Sequence, residues 1–519
     1  MPNRITPATE NRGQAGPSLP RTAVFGNTLT PSELKKIAQW RQGFIREFNY
    51  DPNEQYTLSL EENEPLGPFF GLKNIVRSDK AGPIDPECAV VCATTRAGYG
   101  LHRGSIAIAS CAHYLGMQPY WLDLTTIQGV PQDIMRWRNS TYSRLSRLSQ
   151  DSRLFERFVW EPYTAGERTL PGLSQIMNAW PSLWSWKHLQ GNLRDANSSE
   201  LFANLFAALP PDLPVIATHA LPAQAAVAAG FPHVYSVILD NWPVAFWLAE
   251  GAHHYVQSPS AYYGYRTMSG FTQDDRILQP IPADCIHYAG HFIDHELVSN
   301  VEQDCADRLS RAGAGEPRRF LISMGGAGAQ QGLFKAVIEH LAPYIESHQA
   351  ALFVNLGDHR QNWDWLCQQL APLRHLFHTH FTWESTAELV EAIRTESATG
   401  IHIFLYEDIF HAVYATNYLM RVSDVLITKP SELAFYPIPK ILNSRVGGHE
   451  AWGAIRSAEI GDGTTETRTI AHTLHAIDLL LKETDLLWLY CDFIVKNKRI
   501  GIYDGAYKVC QLAKDKRTQ

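Results

Sequence analysis

Short apolar, β-branched runs alternate along most of this chain with longer segments whose apolar positions recur at helical spacing. From Cys88, CAVVCATT reads as a buried strand and RAGYGLHRG as a glycine turn. SIAIASCAHYLG then reads as a helix and PYWLDL as the next strand. A strand–helix–strand unit of roughly 30 residues is the usual element of a parallel sheet. After an interruption the rhythm resumes. PVIATH, HVYSVILD, HHYVQSP and RILQPI read as strands, with PAQAAVAAG and SAYYGYRTMSG as helices between them. A second series opens at Arg318. RRFLISMG is a strand, GAGAQ a turn and QGLFKAVIEHLAPYI an amphipathic helix, while ALFVNLGD, IHIFLYED and DVLIT supply further strands.

These two series predict an α/β protein of two doubly wound, Rossmann-like domains whose loop ends face a central cleft. The expected divisions are an N-terminal extension over 1–84 and a first domain over 85–300, with a Trp-rich insertion at 130–210. A second domain over 315–485 and a helical tail over 486–519, packing back on the first domain, complete the chain. Residues 1 to about 30 are rich in Pro, Gly, Thr and Asn, a composition expected to stay flexible. PSELKKIAQWRQGFIREF over 31–48 opens with a helix start signal, and a linker-like stretch is expected around Val298–Pro317.

At 519 residues the chain exceeds one compact core, in keeping with two domains. A net charge of −8 without a long basic run argues against a nucleic-acid partner. The eight cysteines form no CxxC pair and are expected to be reduced, and the His-rich HLFHTH run lacks a zinc-binding spacing. No apolar stretch is long enough to span a membrane. The expected location is cytoplasmic, with room for peripheral contact at a membrane surface.

Candidate chemistry concentrates at Val422–Ala454, VSDVLITKPSELAFYPIPKILNSRVGGHEAWGA. The pattern predicts a strand, a turn at Pro430, a helix capped by Ser431, the strand KILNS and a glycine turn opening another helix. Two helix N-termini at the ends of adjacent strands favour an anion. Lys429, Ser431, Glu432, Gly448, His449 and Glu450 would share that rim. Two further glycine loops end strands, Gly98-Tyr99-Gly100-Leu101-His102-Arg103-Gly104 and Gly325-Gly326-Ala327-Gly328-Ala329-Gln330. One such loop is weak as a signal, but three divided between two α/β series are far more specific.

On these motifs the chain resembles the GT-B glycosyltransferases of the branch that includes the peptidoglycan UDP-N-acetylglucosamine transferase and the monogalactosyldiacylglycerol synthases. The resemblance runs from about Cys88 to Gly461, outside the Trp-rich insertion. GYGLHRGS is similar to the family's first glycine loop and its His, ILDNWP to an Asp-bearing strand end, and MGGAGAQ to the turn at the donor diphosphate. SDVLITKPSEL and VGGHEAWGA resemble the segments that meet donor sugar and phosphates. The chain departs from the pattern at Ser431-Glu432, where the family has paired glycines, at His449, where it has Gln, and near Pro437, where it has a ribose-binding Glu.

The resemblance implies transfer of a sugar from a nucleotide-diphosphate sugar, with uridine as the usual base, to a hydroxyl acceptor. The acceptor would be a small molecule, a glycan or a lipid-linked sugar. Inversion is implied, and neither a cofactor nor an essential metal is expected. Gly325, Gly326, Gly328, Ala329, Leu405, Tyr406, Lys429, Ser431, Glu432, Gly448, His449 and Glu450 would bind the donor. Gly98, Gly100, Arg103 and His219 would face the acceptor, with His102 or Asp240 as base. Each has a plainer reading: packing turns for the glycines, an N-cap for Asp240, helix-end stabilisation for Glu450, a solvated strand end for Lys429. The tryptophans from Trp180 to Trp186 fit a subdomain core or a sugar platform. A sugar-nucleotide epimerase and a catalytically silent nucleotide-sugar sensor or scaffold are the alternatives.

Overall fold

A computed structural model describes residues 21–96, 98–151, 184–274, 276–326, 328 and 330–515, with the backbone alone for 142–151. A hairpin of β1 (Ala23–Val24) and β2 (Asn27–Thr28) comes first. The first large sheet contains β3 (Leu58–Glu62), β4 (Lys73–Arg77), β5 (Ala89–Thr94), β6 (Gln118–Asp123), β7 (Val215–Ala217), β8 (Val234–Ile238), β9 (His253–Val256) and β10 (Ile286–Tyr288). Its order is β10-β9-β8-β7-β5-β6-β4-β3, parallel throughout except between β3 and β4. The second sheet holds β11 (Arg318–Ser323), β12 (Ala350–Asn355), β13 (Phe377–His380), β14 (Gly400–Phe404), β15 (Val425–Thr428) and β16 (Lys440–Leu442). Its order is β13-β14-β12-β11-β15-β16, all parallel.

Strand β5 shows why these segments read as unbroken apolar runs. Val90 and Cys92 enter the core on one face of the sheet, Ala89, Val91 and Ala93 the core on the other. A strand covered on both sides needs no polar alternation. In the first sheet the chain passes outward from β5 to β6 and returns on the other side of β5 at β7. In the second it leaves β11 through β12 and returns at β15. Such switch points open a crevice beyond the strand carboxyl ends, where ligands of doubly wound sheets bind. Loops from both crevices line one shared cleft, so the molecule has the GT-B architecture.

Several expected boundaries move. The stretch read as an N-terminal extension contributes β3 and β4 to the sheet edge, and Val24 and Phe25 of the first hairpin are buried. RILQPI is not a strand. Pro280 and Pro282 lack the N–H that a ladder needs, and the strand forms instead at Ile286–Tyr288, beside β9. The expected linker is the helix Val301–Gly313. Its polar composition hid a buried face that includes Arg308, which donates to the carbonyls of Ser423 and Met420 at 2.8 Å each. FHTH, part of the His-rich run, is the edge strand β13.

The helix Gly100–Tyr114 sits at the junction of the two domains. Arg103 on it donates to Asn417 Oδ1 at 2.6 Å and to the Val413 carbonyl at 3.3 Å, both on the second-domain helix Ile409–Met420. The final helix, Gly505–Asp515, returns to the same place. Lys514 Nζ donates to the Leu115 carbonyl at 2.7 Å, and Cys510 lies 3.4 Å from the Ile108 carbonyl oxygen.

Candidate active site

The shared cleft spans about 940 Å³ of atom-free space, open to solvent. Gly98, Tyr99 and Gly100 reach it from beyond β5 and Asp240 from beyond β8. Met324, Gly325 and Gly326 reach it from beyond β11, Lys429, Ser431 and Glu432 from beyond β15, and Gly447, His449 and Glu450 from the turn after β16. The two glycine loops touch. A Cβ on Gly326 would come within 2.6 Å of Gly98 Cα, so a glycine is required there for the domains to approach this closely.

A clasp holds the loops together. The Tyr99 hydroxyl donates to the Asp358 carboxylate and accepts the Asp358 N–H at 2.9 Å, while Arg96 pairs with the same carboxylate. Asp358 follows β12, and its neighbour His359 bonds the Gly325 carbonyl at 3.0 Å. Burial would raise the Asp358 pKa, but Tyr99 and Arg96 outweigh it and the carboxyl stays below its ordinary range.

On the second-domain wall, Lys429 runs beside Gly325 and pairs with Glu450. The second Glu450 oxygen accepts the N–H groups of Val446 at 2.7 Å and Gly447 at 3.3 Å. This satisfies donors left over where the chain enters the helix Ala451–Ile460 through a short 3₁₀ turn, Gly448–Glu450. Burial pushes the Glu450 pKa up, but Lys429, His449 and the Val446 N–H together hold it below the usual carboxylate range. The Glu432 carboxylate lies against the first turn of the Gly100–Tyr114 helix, where a side chain on Gly100 would collide with it. Helix N-termini favour such a charge.

Asp240 is half-buried at the end of β8, and its Oδ2 accepts the Trp247 indole N–H at 3.1 Å. Burial, joined by the charges of Glu432 and Glu450, raises its pKa despite the opposing influence of His449 and the indole. Asp240 is therefore a stronger base than an exposed carboxylate.

Other candidates stand elsewhere. His102 lies inside the helix rather than in the loop, because the helix already begins at Gly100. It is buried, its Nε2 is 3.0 Å from Asp123 Oδ2, and it does not line the cleft. His219 also lies outside the cleft lining. Its Nδ1 accepts the Leu221 N–H at 3.1 Å, capping the helix Ala220–Ala228, and burial lowers its pKa to about 3. Arg103 lines the cleft, yet its guanidinium is spent on the Ile409–Met420 helix. Gly328 faces His359 and Asn362, and Ala329 lies outside the described residues. Leu405 and Tyr406 are buried off the cleft, with the Tyr406 hydroxyl bonded to Thr386 at 2.6 Å. Gly448 does not line it either, whereas Gly447 does.

Ser431 caps no helix with its side chain. The segment after it is a four-residue 3₁₀ turn, Glu432–Phe435, cut short before the prolines at 437 and 439. Sequence reading missed Tyr99, Asp358 and Gln330. Asp358 stood in plain view at a strand end in NLGD, and Gln330 closed the glycine turn. Gln330 has φ +70°, and its amide donates to the Ser444 carbonyl at 2.6 Å, tying the glycine turn to the segment after β16.

A family model described as a domain of unknown function (DUF6937) matches residues 23–267, and a second, a domain of unknown function (DUF6938), matches 281–514. No curated protein matches the chain. Among solved structures it is similar to a UDP-GlcNAc 2-epimerase from Neisseria meningitidis bound to UDP-GlcNAc, at 10% identity over 82% of this chain and 99% of that chain, TM-score 0.40. It is also similar to a putative UDP-N-acetylglucosamine 2-epimerase from Listeria monocytogenes, at 10% identity, 81% and 94% coverage and a TM-score of 0.42. An alpha,alpha-trehalose 6-phosphate synthase from Burkholderia multivorans follows at 9% identity, 67% and 81% coverage and a TM-score of 0.34. Likenesses of this size assign the chain no activity.

Proposed function

We propose that the protein is a glycosyltransferase that takes a sugar from a nucleoside-diphosphate sugar, with the donor on the second domain and the acceptor on the first. The observation that carries this reading is the pairing of a lysine and a glycine turn on one wall, Lys429 and Gly325-Gly326, with a proton-accepting carboxylate, Asp240, on the other. The glycine turn lets a diphosphate approach the backbone, and the helix Gln331–Glu346 opens just beyond it. Lys429 adds charge where the leaving group develops it. Glu450 keeps that ammonium at the rim.

In the reaction, the acceptor hydroxyl gives its proton to Asp240 while its oxygen forms a bond to the anomeric carbon. The bond from that carbon to the diphosphate breaks, and the nucleoside diphosphate leaves with the electron pair. Direct displacement of this kind inverts the anomeric centre. His102, buried and bound to Asp123, supports the first glycine loop in this scheme and Asp240 is the base.

The test is product analysis with a panel of UDP-, GDP- and dTDP-sugars and mixed hydroxyl acceptors. Wild type should release nucleoside diphosphate, and Asp240→Asn should slow release at least 100-fold while still binding the donor, the scale expected for a lost general base. Donor sugar converted to an epimer without an acceptor would replace transfer with epimerisation. Tight nucleotide-sugar binding without turnover would leave a sensor.

A further inference from the structure

Two buried cysteines that the reaction above does not use meet between the helices Val301–Gly313 and Asp485–Arg499. The helices pack directly on each other, and the Cys491 thiol donates a hydrogen bond to the Cys305 sulfur. We propose that Cys305 and Cys491 are a modification site, a thiol pair that a hydroperoxide converts to an intramolecular disulfide.

The surroundings single out this pair. The Arg308 guanidinium is fixed by the Ser423 and Met420 carbonyls at 2.8 Å each, and its remaining nitrogen donates to Cys305 Sγ at 3.6 Å. The thiolate is the reactive form of cysteine, and a nearby fixed cation favours it. The bond from Cys491, with the charge of Arg308, outweighs burial and holds the Cys305 pKa below the ordinary thiol value. The same bond, joined by burial, raises Cys491, which therefore keeps the proton. Cys111 and Cys510 are spent differently. Their sulfurs donate to the carbonyls of Ile293 at 3.5 Å and Ile108 at 3.4 Å, and burial raises both.

Two competing roles fit less well. Thiols acting only as small apolar side chains need no guanidinium aimed at the sulfur. A structural metal needs about four ligands, and no group of three or more His, Cys, Asp or Glu among the described residues could hold one. A disulfide needs only the two sulfurs. The S–S bond is about 2.05 Å long, so thiols already in hydrogen-bond contact reach it by a small rotation of their side chains. Arg499 pairs with Glu302 at 3.1 Å across the same seam and keeps the helices in register. The neighbouring Ala306 and Asp492 are exposed, so the thiols lie one layer below solvent, where local opening admits a small oxidant.

The chemistry takes two steps. The Cys305 thiolate attacks one peroxide oxygen, an S–O bond forms, the O–O bond breaks and hydroxide leaves, to be protonated to water. Cys491 then attacks the Cys305 sulfur, the S–S bond forms, the S–O bond breaks and the second hydroxide leaves as water with the Cys491 proton. Two thiols lose two electrons and the peroxide gains them. Position gives the bond its consequence. The helix Val301–Gly313 carries the chain from the first sheet to β11 of the second, and Asp485–Arg499 leads into the final helix, which packs back on the first domain. The disulfide ties both crossings between the domains together.

The experiment treats the reduced full-length protein with hydrogen peroxide, removes the oxidant with catalase, alkylates in denaturant and maps the peptides by mass spectrometry. A peptide joining Cys305 to Cys491 should appear before any other disulfide, and dithiothreitol should reverse it. In Cys491→Ala, dimedone should trap Cys305 as its sulfenic acid, whereas in Cys305→Ala the Cys491 thiol should stay unmodified. The wild-type map carries the test if an alanine variant does not fold. Full alkylation of Cys305 and Cys491 while the exposed Cys88 is oxidised would overturn the proposal, as would Cys305 joined to any other cysteine.

Discussion

The carboxylate of Glu450 takes two backbone N–H groups and the Lys429 ammonium at once, so a position read from sequence as sugar-binding also builds the turn it stands on. His219 makes the same point more sharply. A His at a strand end is ambiguous in sequence, because capping and catalysis ask for the same place. The structure spends its Nδ1 on the Leu221 N–H, and burial lowers the pKa from the ordinary value near 6.5 to about 3. Between those values the unfolded chain binds more protons than the folded one, so the stability held above about pH 6.5 is lost as pH falls. At pH 5 this one group should cost about 2 kcal/mol relative to pH 7. His219→Asn keeps a capping oxygen and removes the titration. Urea unfolding at pH 7 and pH 5 should show a smaller pH-dependent loss for the variant, and equal losses would contradict the assignment.

Elements buried on both faces were legible because they leave an unbroken apolar signature, as in β5, β11 and β15. Elements with a wet side were not. β3 ends in two glutamates, β13 reads FHTH, and the Val301–Gly313 helix buries an arginine, so none stands out by hydropathy. The glycine turns were legible as loops, but the start of the helix at Gly100 was not, and this placed His102 in the loop rather than in the helix. The last turn of the candidate site is held by close packing. A side chain on Gly453 would collide with the Pro430 carbonyl oxygen, so the helix Ala451–Ile460 approaches the Pro430 turn only through glycine. Gly453→Ala should therefore destabilise by about 1–3 kcal/mol despite alanine's better helix propensity. A thermal melt unchanged or raised by this substitution would show that the contact gives way at no cost.

Over the whole molecule, the cleft depends on partners far apart in sequence. Tyr99 and Asp358 are 259 residues apart, and one sequence carries no sign of their pairing. Two doubly wound series predicted facing loop ends, yet not which residues would close them. Tyr99→Phe removes the hydroxyl of the clasp, a charge-assisted bond of about 1.5–3 kcal/mol, while leaving Arg96 in place. Amide exchange should speed up at Gly98–Gly100 and Met324–Gly326 with little change in the sheets, and unaltered exchange at both loops would mean that the clasp does not join the domains.

The central claim is that this cleft holds a nucleoside diphosphate against Lys429. Calorimetric titration of wild type, Lys429→Met and the Lys429→Met/Glu450→Gln double variant with UDP, GDP and dTDP tests it most directly. The double variant matters because it leaves no buried carboxylate without its cation. At least one nucleotide should bind wild type at one site per chain, and loss of the lysine should weaken it about 10- to 100-fold in both variants, the range of a charge-assisted contact. Absence of binding by all three nucleotides, or equal affinity with and without Lys429, would contradict the account.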